Sequence, residues 1–373
     1  MIGRVDTTIS KWESSEHNQQ PDPALLPRLA QVLNVDISWF FKPISETRGA
    51  SFFRSMKSEL NQIRDKAEAK LGFVEAIYDV ISDYVEFPEV DIPDLLGDRD
   101  FRTLRTPDIE YYARQLRLHW SLSDEPIEDL LLVIENAGIV VAHDEIGSDK
   151  LDGVSRWAEN GRPYMLLARD KNVGARRRFD AGHELGHLVL HRRVGPNELR
   201  ENFRLIEEQA MNFAGAFLMP EASFGDDVYS LSLEALLNIK PKWKVAVAAM
   251  IKRLAAMERI SPEYERRLWQ YYSYRRWRGF EPLDEDLPVE QPHNLAESIK
   301  MVIEDGLLSR GDLTREVGLG ASDIAGLTGV PESYLVPRPP NPVRLSPVMK
   351  VGAPPSEGAE VISITDRLGK LLR

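Results

Sequence analysis

The stretch Arg178-Phe179-Asp180-Ala181-Gly182-His183-Glu184-Leu185-Gly186-His187-Leu188-Val189-Leu190-His191 decides the reading of this chain. It contains His-Glu-x-x-His. On a helix, side chains four residues apart lie on one face about one turn apart, so His183 and His187 can hold a single ion between them. Glu184 stands roughly 100° around the helix from His183, where it can reach a water at that ion without entering the coordination sphere. Leu185, Leu188 and Val189 form an i, i+3, i+4 stripe that buries the other side and turns the histidines toward a cleft.

A catalytic zinc normally takes three protein ligands and keeps one position open, so a further His or carboxylate is required. The run from Ile206 to Pro220 supplies it. Ile206, Ala210, Phe213 and Phe217 make a helical apolar stripe, and Glu207 lies beside it in line with Ala210 and Ala214, whose small side chains let another helix approach. Glu207 is therefore the chosen third ligand, and Glu208, farther toward solvent, is the alternate. His191 falls one turn beyond His187 and reads as a helix-end packing residue, an imidazolium being favourable there. Arg176, Arg177 and Arg178 read as a solvated basic patch, with an acidic-substrate dock as the other reading.

Upstream, Ile139–Ala142, Gly153–Ser155 and Tyr164–Leu167 are short apolar runs bounded by Gly, Asp, Asn or Pro, the pattern of strands. Helices are expected over 106–120, 124–136, 176–191 and 205–219. Strands followed by helices make an α+β domain with a small sheet and active-site helices, flanked by helical N- and C-terminal regions. The expected organisation is a helical module over 1–45, a helical connector over 46–105 interrupted at Gly72, and a catalytic domain with helical extension over 106–282. A small helical domain over 283–336 and a Pro-rich tail over 337–373 complete it, with a short terminal element at Val361–Leu372. Near 269–278, Trp and Tyr alternate with Arg; the reading is an amphipathic helix, aromatics inward, with single-stranded nucleic-acid stacking as the other reading.

The 373 residues contain no cysteine, which removes disulfides, thiolate metal sites and cysteine nucleophiles. A formal charge of -12 opposes non-specific attraction to nucleic-acid phosphates, so DNA binding would need a local patch. No stretch approaches a membrane span and no secretory pattern opens the chain, so the expectation is a cytoplasmic protein with no membrane partner.

Arg178 through His191, followed by Glu207-x-Gln209-Ala210-x-x-Phe213-Ala214 and Phe217-Leu218-Met219-Pro220, resembles the ImmA/IrrE family of metallopeptidases. Further likeness lies at Pro126-Ile127 through Gly138, at Leu151–Ser155 and at Lys240–Val245. Asp180-Ala181-Gly182 departs from the Thr-Leu-Ala usual before the first ligand. The resemblance implies a zincin-like core, one zinc ion held by His183, His187 and Glu207, and Glu184 as general base. It also implies an endopeptidase whose protein substrate is a regulator, commonly a helix-turn-helix repressor whose cleavage releases a stress, phage or mobile-element operon.

Thr8-Ile9-Ser10-Lys11-Trp12-Glu13, Pro23–Ala30 and Leu33–Phe41 resemble the second half of a Cro/C1-type (Xre) helix-turn-helix domain. The resemblance implies DNA contacts from Thr7, Thr8, Ser10 and Lys11. Only six residues precede Thr7, and Met1–Lys57 carries seven basic against six acidic residues, so the module is expected to be partial and weakly attracted to DNA. Beside the peptidase stands a reading of another class: a DNA-binding transcriptional regulator whose peptidase-like domain is a sensor or scaffold.

Overall fold

The computed structural model describes residues 6–13, 20–41, 51–53, 61–148, 151–170 and 173–336. The expected Pro-rich tail and terminal element lie outside them. Helix α1 (Asp6–Glu13) is followed by a 3-10 turn at Pro23–Leu25 and by α2 (Leu26–Leu33). Asn34 ends α2 in left-handed backbone, φ 56°. Its side-chain amide donates to Ser322 Oγ at 2.8 Å and Asp323 Oδ2 at 2.6 Å, tying this N-terminal module to helices near residue 320.

After β1 (Phe52–Phe53), α3 (Asn61–Ser82) runs unbroken through Gly72, contrary to the expected interruption. Leu71, Val74, Ile77 and Ile81 are fully buried along it, and that burial outweighs the roughly 1 kcal/mol helix penalty of one glycine. Helix α4 (Thr106–His119) starts one residue after its cap, Arg105, whose amide donates to Asp108. Helix α5 begins only at Leu130 and ends at Asn136, not at the expected Asp124. Pro126 disfavours helical backbone at Glu125, and the buried Arg117 guanidinium draws the carbonyls of Ser123 and Glu125 to itself instead. Asp129 then caps the shortened helix through Leu132 N, 3.0 Å away.

Strands β2 (Val140–Asp144), β3 (Gly153–Trp157) and β4 (Pro163–Ala168) follow. With β1 they make one sheet in the order β1-β3-β4-β2, parallel only between β2 and β4. The period of two sorts its side chains onto two faces. Val141, Met165, Leu167 and Trp157 join the core beneath α6 (Gly174–Leu190). Val140, Ala142, Val154, Tyr164 and Leu166 join a second core under α3. The fold is α+β.

Beyond α6 come α7 (Pro196–Glu201), α8 (Phe203–Leu218), α9 (Glu221–Asp227), α10 (Leu233–Trp243), α11 (Val247–Ala256) and α12 (Pro262–Tyr274). Helices α6 and α8 pack closely because Gly186 faces the Ala210 backbone and Gly182 faces Ala214 and Leu218. On and after α12, Leu268, Tyr272 and Trp277 are buried as an amphipathic reading requires, but Tyr271 and Tyr274 are exposed. Helices α13 (Asn294–Glu304), α14 (Arg310–Val317), α15 (Ala321–Thr328) and α16 (Glu332–Leu335) close the second core on the face of the sheet away from α6. Among the described residues no helix is long and apolar enough to cross a membrane.

Candidate active site

Three layers meet over α6. Helix α6 carries His183, Glu184 and His187, α8 carries Glu207, and the face of β3 bearing Gly153, Ser155 and Trp157 lies against α6. That strand is held in place by Trp157, whose indole N–H donates to Leu188 O at 3.0 Å.

The Nε2 atoms of His183 and His187 are 3.0 Å apart. Glu207 Oε2 lies 3.5 Å from the first and Glu207 Oε1 3.2 Å from the second. One donor atom from each of the three residues thus falls within a 4.8 Å cluster. Lone pairs converge there with no apolar atom needed to explain them, which is the donor set of a cation site with two nitrogens and an oxygen. Protonation states fit as well. Burial pushes His187 down to about 4, so it is neutral at pH 7. Burial alone would raise Glu207, but its hydrogen bonds to the two histidines hold it at about 2, so it is ionised.

His187 is also oriented from behind. Its Nδ1 lies 3.2 Å from His191 Nδ1, His191 Nε2 lies 2.9 Å from Gln209 Oε1, and Gln209 Nε2 donates to Phe101 O at 2.8 Å. When His187 keeps the Nε2 lone pair for the shared centre, its proton sits on Nδ1, and each partner in turn has one proton to donate down the chain. His191 is therefore not the imidazolium anticipated at a helix end. It is fully buried, and burial pushes its pKa down to about 3. Desolvation outweighs the helix C-terminus, and the residue acts as a neutral link.

Glu184 is 2% exposed. Ser155 Oγ donates to its Oε2 at 2.6 Å, and a Cβ on Gly153 would come within 3.0 Å of its Cγ and Oε1. Strand β3 thus fixes this carboxylate from two sides. Neither Gly153 nor Ser155 was legible as a site residue. Their spacing of two, small side chain after small side chain on one strand face, and their place in the Leu151–Ser155 likeness are the local signs.

Glu208 is exposed and stands outside the cluster, in the wall of a cavity of about 420 Å³ with Phe179, Met211 and Asn212. Through Thr106, Ala255 and Ala256 this cavity adjoins a larger one of about 950 Å³ bordered by Tyr111, Arg114, Glu221 and Arg259. The Arg176–Arg178 run is not a solvated patch. Arg177 and Arg178 are buried, and Arg178 is engaged by Glu290 and the Ile127 carbonyl, so this run joins the catalytic layer to the segment after α12. Thr7, Thr8, Ser10 and Lys11 all lie on α1, where Lys11 is exposed and Thr8 half-buried.

A comparison with curated proteins returned no match. Residues 134–255, which run from α5 into α11 and carry His183, Glu184, His187 and Glu207, match the model of the peptidase family Peptidase_M78, described as the IrrE N-terminal-like domain.

Proposed function

We propose that this chain is a zinc-dependent endopeptidase that hydrolyses a peptide bond in a protein regulator, a helix-turn-helix repressor, to derepress a stress, phage or mobile-element operon. The observation that carries the chemistry is the convergence of His183, His187 and Glu207 next to the buried Glu184. The regulator as substrate rests on the resemblance to the ImmA/IrrE family.

Bound zinc supplies Lewis acidity, lowering the pKa of water toward about 7 and polarising the scissile carbonyl. His183, His187 and Glu207 would hold it. Glu184 takes the proton of the attacking water and passes it to the leaving amine. Ser155 aims that carboxylate by donating to Oε2, and the missing side chain at Gly153 leaves it room. The relay through His191 and Gln209 keeps the His187 ring in one orientation and tautomer.

Metal content decides the reading. Protein purified without added metal should carry near one zinc per chain by plasma mass spectrometry, and Glu207→Ala should lose it. Glu184→Gln should keep the zinc and lose cleavage. Wild-type protein that stays metal-free after zinc is supplied would sink the peptidase and leave the DNA-binding regulator with a scaffold domain ahead.

A further inference from the structure

Beside the catalytic glutamate, the edge of the sheet is already taken by the chain itself. Strand β3, whose Gly153 and Ser155 touch Glu184, has two edges. One pairs with β4; the other pairs antiparallel with β1, Phe52 opposite Ser155 and Phe53 opposite Val154. An extended peptide gains affinity by adding to such an edge, with alternate side chains entering pockets. The Phe52 side chain does the latter. Its ring stacks on His187 with centroids 4.8 Å apart and planes 9° apart, stands 5.9 Å from His191, and Phe52 is 2% exposed.

We propose that Ser51–Phe53 is an internal pseudo-substrate: it fills the peptide-adding edge of β3 and the aromatic pocket at His187 and His191, and must leave before a substrate with an aromatic side chain can enter. The inference rests on the peptidase reading for what the pocket serves, but the occupancy is a matter of strand pairing. Three facts make the segment displaceable yet blocking. Among the described residues it pairs over two residues, and its neighbour Ser51 adds a hydrogen bond to Glu68 at 3.3 Å. With the segment in place His183, Glu184 and His187 are each at most 4% exposed, and the Phe52 ring covers one face of His187. Backbone donors and acceptors on a strand edge serve one partner at a time, so occupant and substrate exclude each other.

The test is peptide binding to the full chain carrying Glu184→Gln, which bars turnover, read by fluorescence anisotropy with and without zinc. The probe is a labelled peptide copying residues 48–57 of this chain, and its control has Asp in place of the residue equivalent to Phe52. Adding Phe52→Ala to the protein should tighten probe binding at least tenfold, and the control should bind at least tenfold more weakly than the probe. Phe53→Pro breaks the pairing while keeping the Phe52 ring, and should give the same gain if Phe52→Ala lowers Tm severely. Equal binding by all three proteins, or equal binding of probe and control, overturns the proposal. Zinc content measured on the same samples separates this from the peptidase reading: a chain that takes up no zinc counts against the enzyme, while the anisotropy still decides whether the segment is displaced.

Discussion

At the residue scale, the contacts of Glu184 leave little tolerance. Gly153→Ala places a methyl 3.0 Å from the Glu184 carboxylate, which must shift. A contact at that distance asks the carboxylate to give by a few tenths of an ångström, and since about 1 Å at a reacting group can cost on the order of 100-fold, kcat should fall roughly 3- to 10-fold with zinc content unchanged. Steady-state kinetics beside metal analysis would check this; loss of zinc would mean that the glycine serves the fold instead. Gln209→Leu removes the last side chain of the relay, leaving His191 Nε2 without its partner. Zinc affinity, measured by competition with a chelator, should drop by about 10- to 100-fold. The pair His183 and His187 was legible because both lie on one helix with a fixed rise. Glu207 was legible because its helix has small residues where another helix must approach. Ser155 and Phe52 were not, because each reaches the centre from a strand distant in sequence, and Gln209, though part of the Glu207-x-Gln209-Ala210 stretch, acts only through His191 at the end of another helix.

At the element scale, α10 and α11 are locked to the segment that follows α12 by one buried ionic knot. Lys240 lies 2.9 Å from Glu281 and 2.6 Å from Asp284, and Lys240 and Glu281 are fully buried. Glu281 also accepts from Val247 N at 2.7 Å and Ala248 N at 3.1 Å, satisfying the first amides of α11, and from Tyr272 Oη at 2.7 Å. Lys240→Met would strand two carboxylates in the interior, a loss of roughly 3–5 kcal/mol. Urea denaturation should show it, and adding Glu281→Gln and Asp284→Asn to Lys240→Met should recover part of it. An unchanged midpoint would mean that water reaches the knot. The expected helical extension covers these helices but not the knot, since Lys240 and Glu281 are far apart in the chain and each alone reads as a surface charge.

At the scale of the whole molecule, the helices after α12 close the far face of the sheet, and His143 on its edge strand β2 meets both Gly329 at the end of α15 and the charge of Arg177 on α6. It is 4% exposed, neither ring nitrogen has a hydrogen-bond partner among the described residues, and its Nε2 would lie 3.4 Å from a Cβ on Gly329. Burial first, and then the charges of Arg169 and Arg177, push its pKa down to about 3. The folded chain refuses a proton that the unfolded chain accepts near pH 6.5. This contribution to stability is therefore complete above pH 6.5 and is lost as pH falls toward 3, by about 1.4 kcal/mol per unit. His143→Leu should flatten the decline of stability between pH 6.5 and 4 in chemical denaturation, and parallel curves for the two proteins would show that His143 is protonated within the fold.

By itself the sequence determined the α+β class, the three main strands and the helices bearing His183, Glu184, His187 and Glu207. All of these follow from short-range periods and turn chemistry that a few neighbouring residues carry. Only the tertiary structure decided that α5 starts late, that Arg177 and Arg178 are buried, that His191 is neutral and that Phe52 lies against His187. Each depends on desolvation or on a partner from a distant segment: the carbonyls drawn to Arg117, Glu290 for Arg178, Gln209 for His191 and β3 for Phe52. Burial sets the cost of a charge and the worth of a ring, and burial is a property of the packed chain.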